Sequence, residues 1–241
     1  NRPPMAEAAI SSINRVDIMP KIKHKRFKEI AQFDHVIEWS DYPHGHGFNK
    51  TVWFEKFFLG SDRLTLELAC GKAEYTVGLA LRYPNRNFIG VDIKGNRIWV
   101  GANYSLTHQM HNTAFLRAYI GHLEHYIPEQ SVEEIWIIFP DPQLKKDRKK
   151  LTSTRFLKLY KKLLISGGTI HLKTDSSELF EFTLEQIELY NLTILRQIEN
   201  VYADPSAPEE LVDIHTYYEG LHVKKGRPIQ YLQFSLTNNN I

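Results

Sequence analysis

Three acidic side chains stand where short apolar segments of the chain end and loops begin. Glu67 lies near the end of the first such segment, Asp92 follows the second, and Asp141 follows the most apolar one, residues 134–139. A carboxylate can accept hydrogen bonds from ribose hydroxyls or from the edge of a base, and it attracts a cationic ligand. Such a set is suited to a ligand that carries a nucleoside.

The segment that follows Glu67 is rich in small residues. Small residues between a strand and a helix allow a ligand to approach the backbone and the N-terminus of the helix. A dinucleotide-binding turn, G-x-G-x-x-G, is disfavoured because only Gly71 is a glycine. The S-adenosylmethionine turn, E/D-x-G-x-G-x-G, tolerates other small residues, and Ala69 and Ala73 stand at two of its glycine positions. An ordinary strand–helix turn remains the alternative interpretation of this segment. For Asp92, the alternative is an acid at the protein surface that binds no ligand.

Asp141 lies between two prolines, in the sequence Phe-Pro-Asp-Pro at residues 139–142. The prolines restrict the backbone on both sides of this carboxylate, although Asp-Pro also occurs in simple turns. Five of the six residues at 145–150 are basic. Such a run is either a solvated surface or a clamp for the phosphates of a polyanion. Its place beside a candidate catalytic acid favours the clamp.

Further charged groups follow later in the chain. Asp175 comes after a fifth apolar segment, and residues 216–219 read Thr-Tyr-Tyr-Glu, which is also the pattern of a helix capping box. Basic residues cluster at 21–28 and at 222–227 as well as at 145–150. Three separate basic clusters on a chain of net charge +2 favour nucleic acid over a small metabolite as the partner.

Short strands and longer helices alternate in the predicted order of elements. We expect strands at 64–68, 87–91, 113–118, 134–139, 169–173, 192–197 and 229–236, and helices at 74–83, 96–108, 153–164 and 179–190. The glycine pair at 167–168 is expected to end the third of these helices. This pattern predicts an α/β fold whose mostly parallel central sheet carries helices on both faces, with ligands beyond the carboxyl ends of the strands.

Composition bounds the class of protein. The 241 residues fit one large α/β domain with an appended segment, and we expect a partly extended basic N-terminal arm at 1–50 before a catalytic domain at 51–241, with a short helix near 52–59. Cys70 is the only cysteine, which excludes an intrachain disulfide and indicates a reducing, cytoplasmic setting. The longest apolar stretches are far shorter than the ~20 residues of a membrane span. His44 and His46 are interpreted as polar residues of the arm, and no metal is expected.

Taken in order, these pieces resemble the tRNA (guanine-N7)-methyltransferase family in its bacterial single-chain form. The specific string is Phe-Pro-Asp-Pro, a basic run, Leu-Thr at 151–152 and Lys-Thr-Asp at 173–175, with Thr-Tyr-Tyr-Glu at 216–219. The resemblance implies a Rossmann-like fold of S-adenosylmethionine-dependent methyltransferases. It also implies methyl transfer from S-adenosylmethionine to N7 of a guanosine in the tRNA variable loop, by a monomer or homodimer without an obligate protein partner.

The same resemblance assigns roles to individual residues. The cofactor-binding set is Glu67, Ala69, Gly71, Asp92, Tyr119 and Asp141, of which Asp141 is also the catalytic residue. The substrate-binding set is Lys145, Arg148, Lys149, Lys150, Asp175, Thr216, Tyr217, Tyr218 and Glu219. Tyr119 stands where the family usually has an acid, so the adenine is expected to be held differently, by stacking.

Two other function classes stay open at this stage. An amino-group nucleic-acid methyltransferase has a similar Asp-Pro-Pro-aromatic motif, but Gln143 takes the place of the aromatic residue. A non-catalytic RNA-binding module is the second, because Ala69, Ala73 and Tyr119 depart from the family pattern. A nicotinamide oxidoreductase is disfavoured by the missing glycines.

Overall fold

The computed structural model describes residues 20–217, 219–220, 226–236 and 241. Strands and helices alternate along it as the hydrophobic pattern predicts. The strands are β1 (Val36–Glu38), β2 (Leu64–Leu68), β3 (Phe88–Asp92), β4 (Thr113–Arg117), β5 (Val132–Ile138), β6 (Leu164–Thr174), β7 (Thr193–Ile198) and β8 (Gln230–Ser235). The α-helices are α1 (Pro20–Ile30), α2 (Glu74–Arg82), α3 (Gly95–Thr107), α4 (Thr154–Leu163), α5 (Ser177–Leu189) and α6 (Glu209–Asp213).

The eight strands form one sheet in the order β1-β4-β3-β2-β5-β6-β8-β7. All neighbouring pairs are parallel except those of β8, which runs antiparallel to both β6 and β7. From β2 the chain builds outward through β3 and β4 on one side, and it then returns to β5 on the other. The strand order therefore reverses between β2 and β5, which is where open parallel sheets bind ligands, beyond the carboxyl ends of the strands.

Burial explains why these segments became strands and helices. Every residue of β2 and β3 is buried, as expected for central strands of a sheet covered on both faces. On α4 the apolar residues recur at helical spacing, and Phe156, Leu157 and Tyr160 of that stripe are buried against the sheet. No helix within the described ranges is long and apolar enough to cross a membrane.

Residues 20–50, which the sequence predicts to be part of a partly extended arm, contain a helix and a short strand. Residues 20–30 form α1, which packs on α3, and β1 pairs in parallel with β4 at the edge of the sheet. A strand of three residues is too short to show an alternating pattern, so the sequence carried no signal for it. Residues 1–19 of the predicted arm lie outside the described residues.

Two smaller expectations are also corrected. Helix α4 ends at Leu163, before the glycine pair, which instead lies inside β6. A Cβ at Gly168 would come within 3.2 Å of the Glu133 carbonyl oxygen, so this glycine permits the close approach of β6 to β5. The short helix expected near 52–59 is a π-helical turn, Trp53–Phe57, anchored by the Trp53 indole N–H, which donates to the Tyr126 carbonyl at 2.7 Å.

Candidate active site

The turn between β2 and α2 has three residues in the left-handed backbone region. Ala69, Gly71 and Ala73 have φ angles of 56°, 57° and 62°. These are the positions at which the S-adenosylmethionine turn has its glycines, so the spacing of the motif follows from the backbone itself. An alanine in this conformation costs roughly 1–2 kcal/mol relative to a right-handed one, and the surrounding packing must hold it there.

Two glycines in neighbouring elements make room for this turn. A Cβ at Gly101 of α3 would lie 2.7 Å from the Cβ of Ala73, and a Cβ at Gly90 of β3 would lie 2.9 Å from the Thr76 hydroxyl oxygen. Both distances are below any ordinary contact, so neither position accepts a side chain without movement. The turn is thus packed tightly between β3 and α3.

Glu67 is buried beneath the turn. Its Oε2 atom accepts hydrogen bonds from the backbone N–H of Thr76, at 2.6 Å, and from the Thr76 hydroxyl. Burial raises the pKa of Glu67 to about 8, and the two hydrogen bonds from Thr76 oppose that shift. Glu67 therefore fixes the first turn of α2 from below.

Asp92 ends β3 and binds the same turn from the other side. Its Oδ2 accepts the N–H of Gly71 at 3.0 Å, and its Oδ1 accepts the N–H of Lys94 at 2.9 Å. Each carboxylate oxygen can accept a second hydrogen bond, so Asp92 keeps acceptor capacity for a ligand. Its carboxylate is oriented by backbone groups and lines a cavity.

This cavity has a volume of about 580 Å³ and opens beyond the carboxyl ends of the central strands. Its wall consists of Ala69, Asp92, Ile93, Ala118, Tyr119, Ile120, Gly121, His122, Gln143, Arg148, Lys149, Leu151, Arg155 and Phe156. Asp92 is the single carboxylate in this wall, whereas Arg148, Lys149 and Arg155 are cationic. The size lies within the range of small-molecule sites, and the wall is mixed apolar and polar, as such sites usually are.

Tyr119 presents an aromatic ring at the position where the resemblance implies an acid. It follows β4, its side chain is 53% exposed, and its ring meets that of Trp39 edge-on with centroids 5.9 Å apart. The ring lies in the cavity wall beside the buried Ala118. Tyr119 can therefore stack on a flat apolar group, but it lacks the negative charge and the second acceptor oxygen of a carboxylate.

The loop after β5 holds Asp141 in an exposed position. Phe139 and Gln143 both have positive φ angles, 45° and 49°. The loop is fixed by the Phe139 N–H, which donates to the Lys173 carbonyl at 2.9 Å, and by the Asp141 Oδ1 atom, which accepts the N–H of Gln143 at 3.0 Å. Gln143 lies in the cavity wall, whereas Asp141 itself stands just outside it.

The basic run after Asp141 divides into two kinds of residue. Lys145, Arg148 and Lys149 are exposed, and the last two line the cavity. Lys150, which is also predicted to contact phosphate, is buried. Its side chain is 7% exposed, its ammonium donates to Asp147 at 2.6 Å, and it lies 4.1 Å from the ring centre of Phe182. Lys150 thus packs the loop onto α5.

Glu219, which the resemblance assigns to substrate binding, belongs to a buried network. It is fully buried and forms an ion pair with Lys173, which is buried as well. Thr216 and Glu219 form a helix capping box, which was the alternative interpretation of their sequence pattern. The Thr216 N–H donates to Glu219 Oε2 at 3.2 Å, and the Glu219 N–H donates to Thr216 Oγ1 at 3.1 Å. In this arrangement both residues hold the C-terminal segment against the sheet.

Lys173 is the centre of that buried network. Its ammonium also donates to the Tyr75 hydroxyl at 2.9 Å and to the Leu211 carbonyl at 2.6 Å. Burial lowers the pKa of Lys173, and the Glu219 carboxylate opposes the shift. Because the Lys173 carbonyl accepts the Phe139 N–H, this network lies directly behind the loop that carries Asp141.

The remaining predicted site residues lie at the same end of the sheet but outside the cavity wall. Asp175 follows β6, and its carboxylate lies 3.4 Å from the guanidinium of Arg227. The Tyr217 N–H donates to Glu74 at 3.2 Å, and the Lys72 ammonium lies 4.6 Å from the Tyr217 ring centre. Tyr218 lies outside the described residues.

Sequence reasoning missed three residues that the structure brings to this region. His122 and Arg155 line the cavity, and Lys173 ties the C-terminal segment to the Asp141 loop. A signal existed for His122, which comes five residues after the end of β4, and for Arg155, which opens α4 after the basic run. The partners of Lys173 are distant in the chain, so its burial could not be inferred.

Comparison with solved structures defines the class of protein. The antibiotic-resistance methyltransferase Kmr matches 78% of this chain and 92% of its own, with a TM-score of 0.57 at 16% identity. The 16S rRNA methyltransferase KamB matches 72% and 87%, with a TM-score of 0.55 at 16% identity. At this identity the likeness concerns the fold alone, which is the Rossmann-like fold of S-adenosylmethionine-dependent methyltransferases, as the family resemblance implies.

Sequence relatives narrow the class to a family. The family model described as a putative methyltransferase matches residues 61–232. A tRNA (guanine-N(7)-)-methyltransferase of Porphyromonas gingivalis is 48% identical over 184 residues, which are 76% of this chain and 75% of that protein. One of Bacteroides fragilis is 42% identical over 90% of this chain and 87% of its own. The chain belongs to the tRNA (guanine-N7)-methyltransferase family, which confirms the resemblance seen in its motifs.

Proposed function

We propose that this protein transfers a methyl group from S-adenosylmethionine to N7 of a guanosine in the variable loop of tRNA. The observation that carries the proposal is the cavity at the strand-order reversal, with the oriented carboxylate of Asp92 in its wall and the Asp141 loop at its edge. The names of the relatives and the basic run beside Asp141 support tRNA as the substrate. We further propose that the enzyme acts in the cytoplasm, as a monomer or homodimer.

The residues of the cavity fit this cofactor. Asp92 has acceptor capacity for the two ribose hydroxyls, Tyr119 offers a ring on which the adenine can stack, and the left-handed turn at 69–73 brings backbone close to the ligand. The negative charge of Asp92 also suits a cationic ligand. S-adenosylmethionine supplies an electrophilic methyl group on a sulfonium centre.

Guanine N7 carries an exposed lone pair and is unprotonated at neutral pH, so it needs no general base before it attacks. The protein must instead hold N7 in line with the methyl carbon and sulfur, which can contribute ~7–11 kcal/mol. The purine becomes more positive as the new bond forms. We propose that the Asp141 carboxylate accepts hydrogen bonds from the guanine edge and so binds the transition state more tightly than the ground state. Asp175 is proposed to help orient the base.

The exposed cations of the loop are proposed to hold the RNA backbone. Lys145, Arg148 and Lys149 extend along the loop beside Asp141, where a tRNA strand would approach the cavity. The target base is stacked in folded tRNA, so its entry requires extrusion from the stack. Contacts to the flanking phosphates would hold the strand while the base enters.

The experiment is incubation of the protein with methyl-labelled cofactor and unmodified tRNA, followed by mapping of the modified nucleoside. We expect 7-methylguanosine in the variable loop. Label on an exocyclic amino group, or cofactor binding without transfer to any tRNA, would contradict the proposal.

Asp141→Ala tests the catalytic assignment. We expect kcat to fall by about 10²-fold or more, with unfolding and cofactor affinity close to those of the wild type. Asp62→Ala is the matched control, because Asp62 is an exposed acid in the loop before β2, at the opposite end of the sheet. An unchanged kcat in Asp141→Ala would remove this residue from the mechanism.

A further inference from the structure

Three histidines and an arginine meet at the mouth of the cavity. The short 3₁₀ helix Pro43–Gly45 packs against a second one, Ile120–His125. The rings of His44 and His122 have centroids 5.1 Å apart, and those of His122 and His125 are 6.1 Å apart. His44 is exposed, and His122 is half-buried in the cavity wall.

Two glycines allow this meeting. A Cβ at Gly45 would lie 2.5 Å from the Cβ of His125, so only a glycine lets the two 3₁₀ helices approach this closely. A Cβ at Gly121 would lie 2.8 Å from Nη2 of Arg155, so the guanidinium rests against the backbone beside His122. Close packing of the two 3₁₀ helices therefore brings the histidines together, and the Arg155 guanidinium lies beside them.

The neighbouring carboxylate is already paired with a lysine outside this cluster. Glu124 lies in the same 3₁₀ helix, but its side chain accepts from Lys162 at 2.6 Å, and its carbonyl accepts from Lys50 at 2.6 Å. Lys162 lowers the pKa of Glu124 and holds it charged. The charged and titratable groups around His122 are His44, His125, Arg155 and the already paired Glu124. The Tyr119 ring also faces it, with centroids 5.9 Å apart.

We propose that His44, His122, His125 and Arg155 form a subsite for a phosphodiester group of the RNA substrate, at the mouth of the cofactor cavity. This inference rests on the proposed function, since it takes tRNA as the ligand. An anion on these side chains would receive N–H donors from the rings and from the guanidinium. Arg148 and Lys149 lie in the wall of the same cavity, so the subsite extends the basic surface of the loop across the mouth.

The subsite makes RNA binding depend on pH. Burial and the positive neighbours lower the pKa of His122 in the free protein, so its ring is neutral near pH 7. A phosphodiester stays anionic at this pH and favours the protonated ring, so binding takes up protons. The affinity for tRNA therefore rises as pH falls from 8 to 6, and we expect the dissociation constant to decrease about threefold to tenfold.

The test is the dissociation constant of unmodified tRNA from pH 6 to 8 at constant ionic strength. His122→Gln keeps a polar side chain without a titrating ring, and His44→Asn suits the positive φ of 53° at that position while lying outside the cavity wall. We expect both variants to lose most of the gain in affinity at pH 6. His111→Gln is the matched control, because His111 is exposed near the start of β4, at the other end of the sheet.

The outcomes separate this inference from the proposed function. A wild-type pH dependence in both His44→Asn and His122→Gln overturns the subsite, even where the wild-type protein methylates tRNA normally. Failure of the wild-type protein to methylate any tRNA at pH 8 contradicts the proposed function instead. A proton NMR titration gives a direct readout, in which tRNA must raise the pKa of the His122 ring.

Discussion

Two groups of charged residues lie on either side of the Asp141 loop, and they differ in what surrounds them. Behind the loop, Lys173 and Glu219 are fully buried and paired with each other. In front of it, Lys145, Arg148 and Lys149 are exposed at the cavity or beside it. Residues of both groups belong to the string that marks the family, so a family motif can serve folding in one part and ligand contact in another.

The comparison predicts that the buried pair controls stability. Lys173→Met leaves the Glu219 carboxylate buried without its cation, which we expect to lower the free energy of unfolding by about 3–5 kcal/mol in urea titrations. Lys158→Met, on the exposed face of α4, is the control and should stay within about 0.5 kcal/mol of the wild type. The double variant Lys173→Met/Glu219→Gln should lose less than the sum of the two single changes, and strict additivity would contradict the pairing.

A second buried group of β6 predicts a pH effect on stability. His171 stacks on Trp136 with ring centroids 3.9 Å apart, and burial lowers its pKa to about 4. The unfolded chain takes up a proton near pH 6.5, whereas the folded chain does so only near pH 4, so stability falls as pH falls through this window. The expected loss is about 3 kcal/mol. His171→Gln should lose less stability than the wild type between pH 6.5 and 4, and parallel curves would exclude His171 as the cause.

The exposed cations in front of the Asp141 loop are expected to affect tRNA binding and to leave stability almost unchanged. Lys149→Gln should weaken tRNA binding by about fivefold and lower the slope of log affinity against log salt concentration by about one, as loss of one phosphate contact requires. Its free energy of unfolding should change by less than about 0.5 kcal/mol. Filter binding at several salt concentrations measures the slope. An unchanged slope would place Lys149 on a merely solvated surface.

Local patterns along the chain predicted most of the fold. Strands β2 to β5 and the helices between them were visible because apolar residues recur at strand or helix spacing and small residues mark the turns. Strand β1 was not visible, since three residues carry no period. The three backbone positions of the β2–α2 turn were predicted as a motif, but the role of Gly101 in packing against Ala73 depends on a contact between separate helices.

The site was predicted less completely, because the sequence alone does not show which charged side chains are buried. Asp92 and Tyr119 lie in the cavity wall, where strand ends predicted a ligand. Thr216 and Glu219 match the family motif, yet the structure directs them to a capping box and an ion pair. Which charged residue faces inward depends on partners such as Lys173 that are distant in the chain.

Two adjacent lysines of the basic run test whether burial separates the cations that stabilise the fold from those that contact RNA. Lys149 is exposed, whereas Lys150 is covered by Phe182 and bonded to Asp147. Lys150→Met keeps an apolar contact with the ring but removes both the ion pair with an exposed acid and the contact of the ammonium with the ring face, so the expected loss of stability is about 1 kcal/mol. The salt dependence of tRNA binding should equal that of the wild type. A slope of log affinity against log salt concentration that is reduced by about one, as in Lys149→Gln, would mean that Lys150 leaves Phe182 and contacts the RNA. The division between buried and exposed cations would then hold only for the free protein.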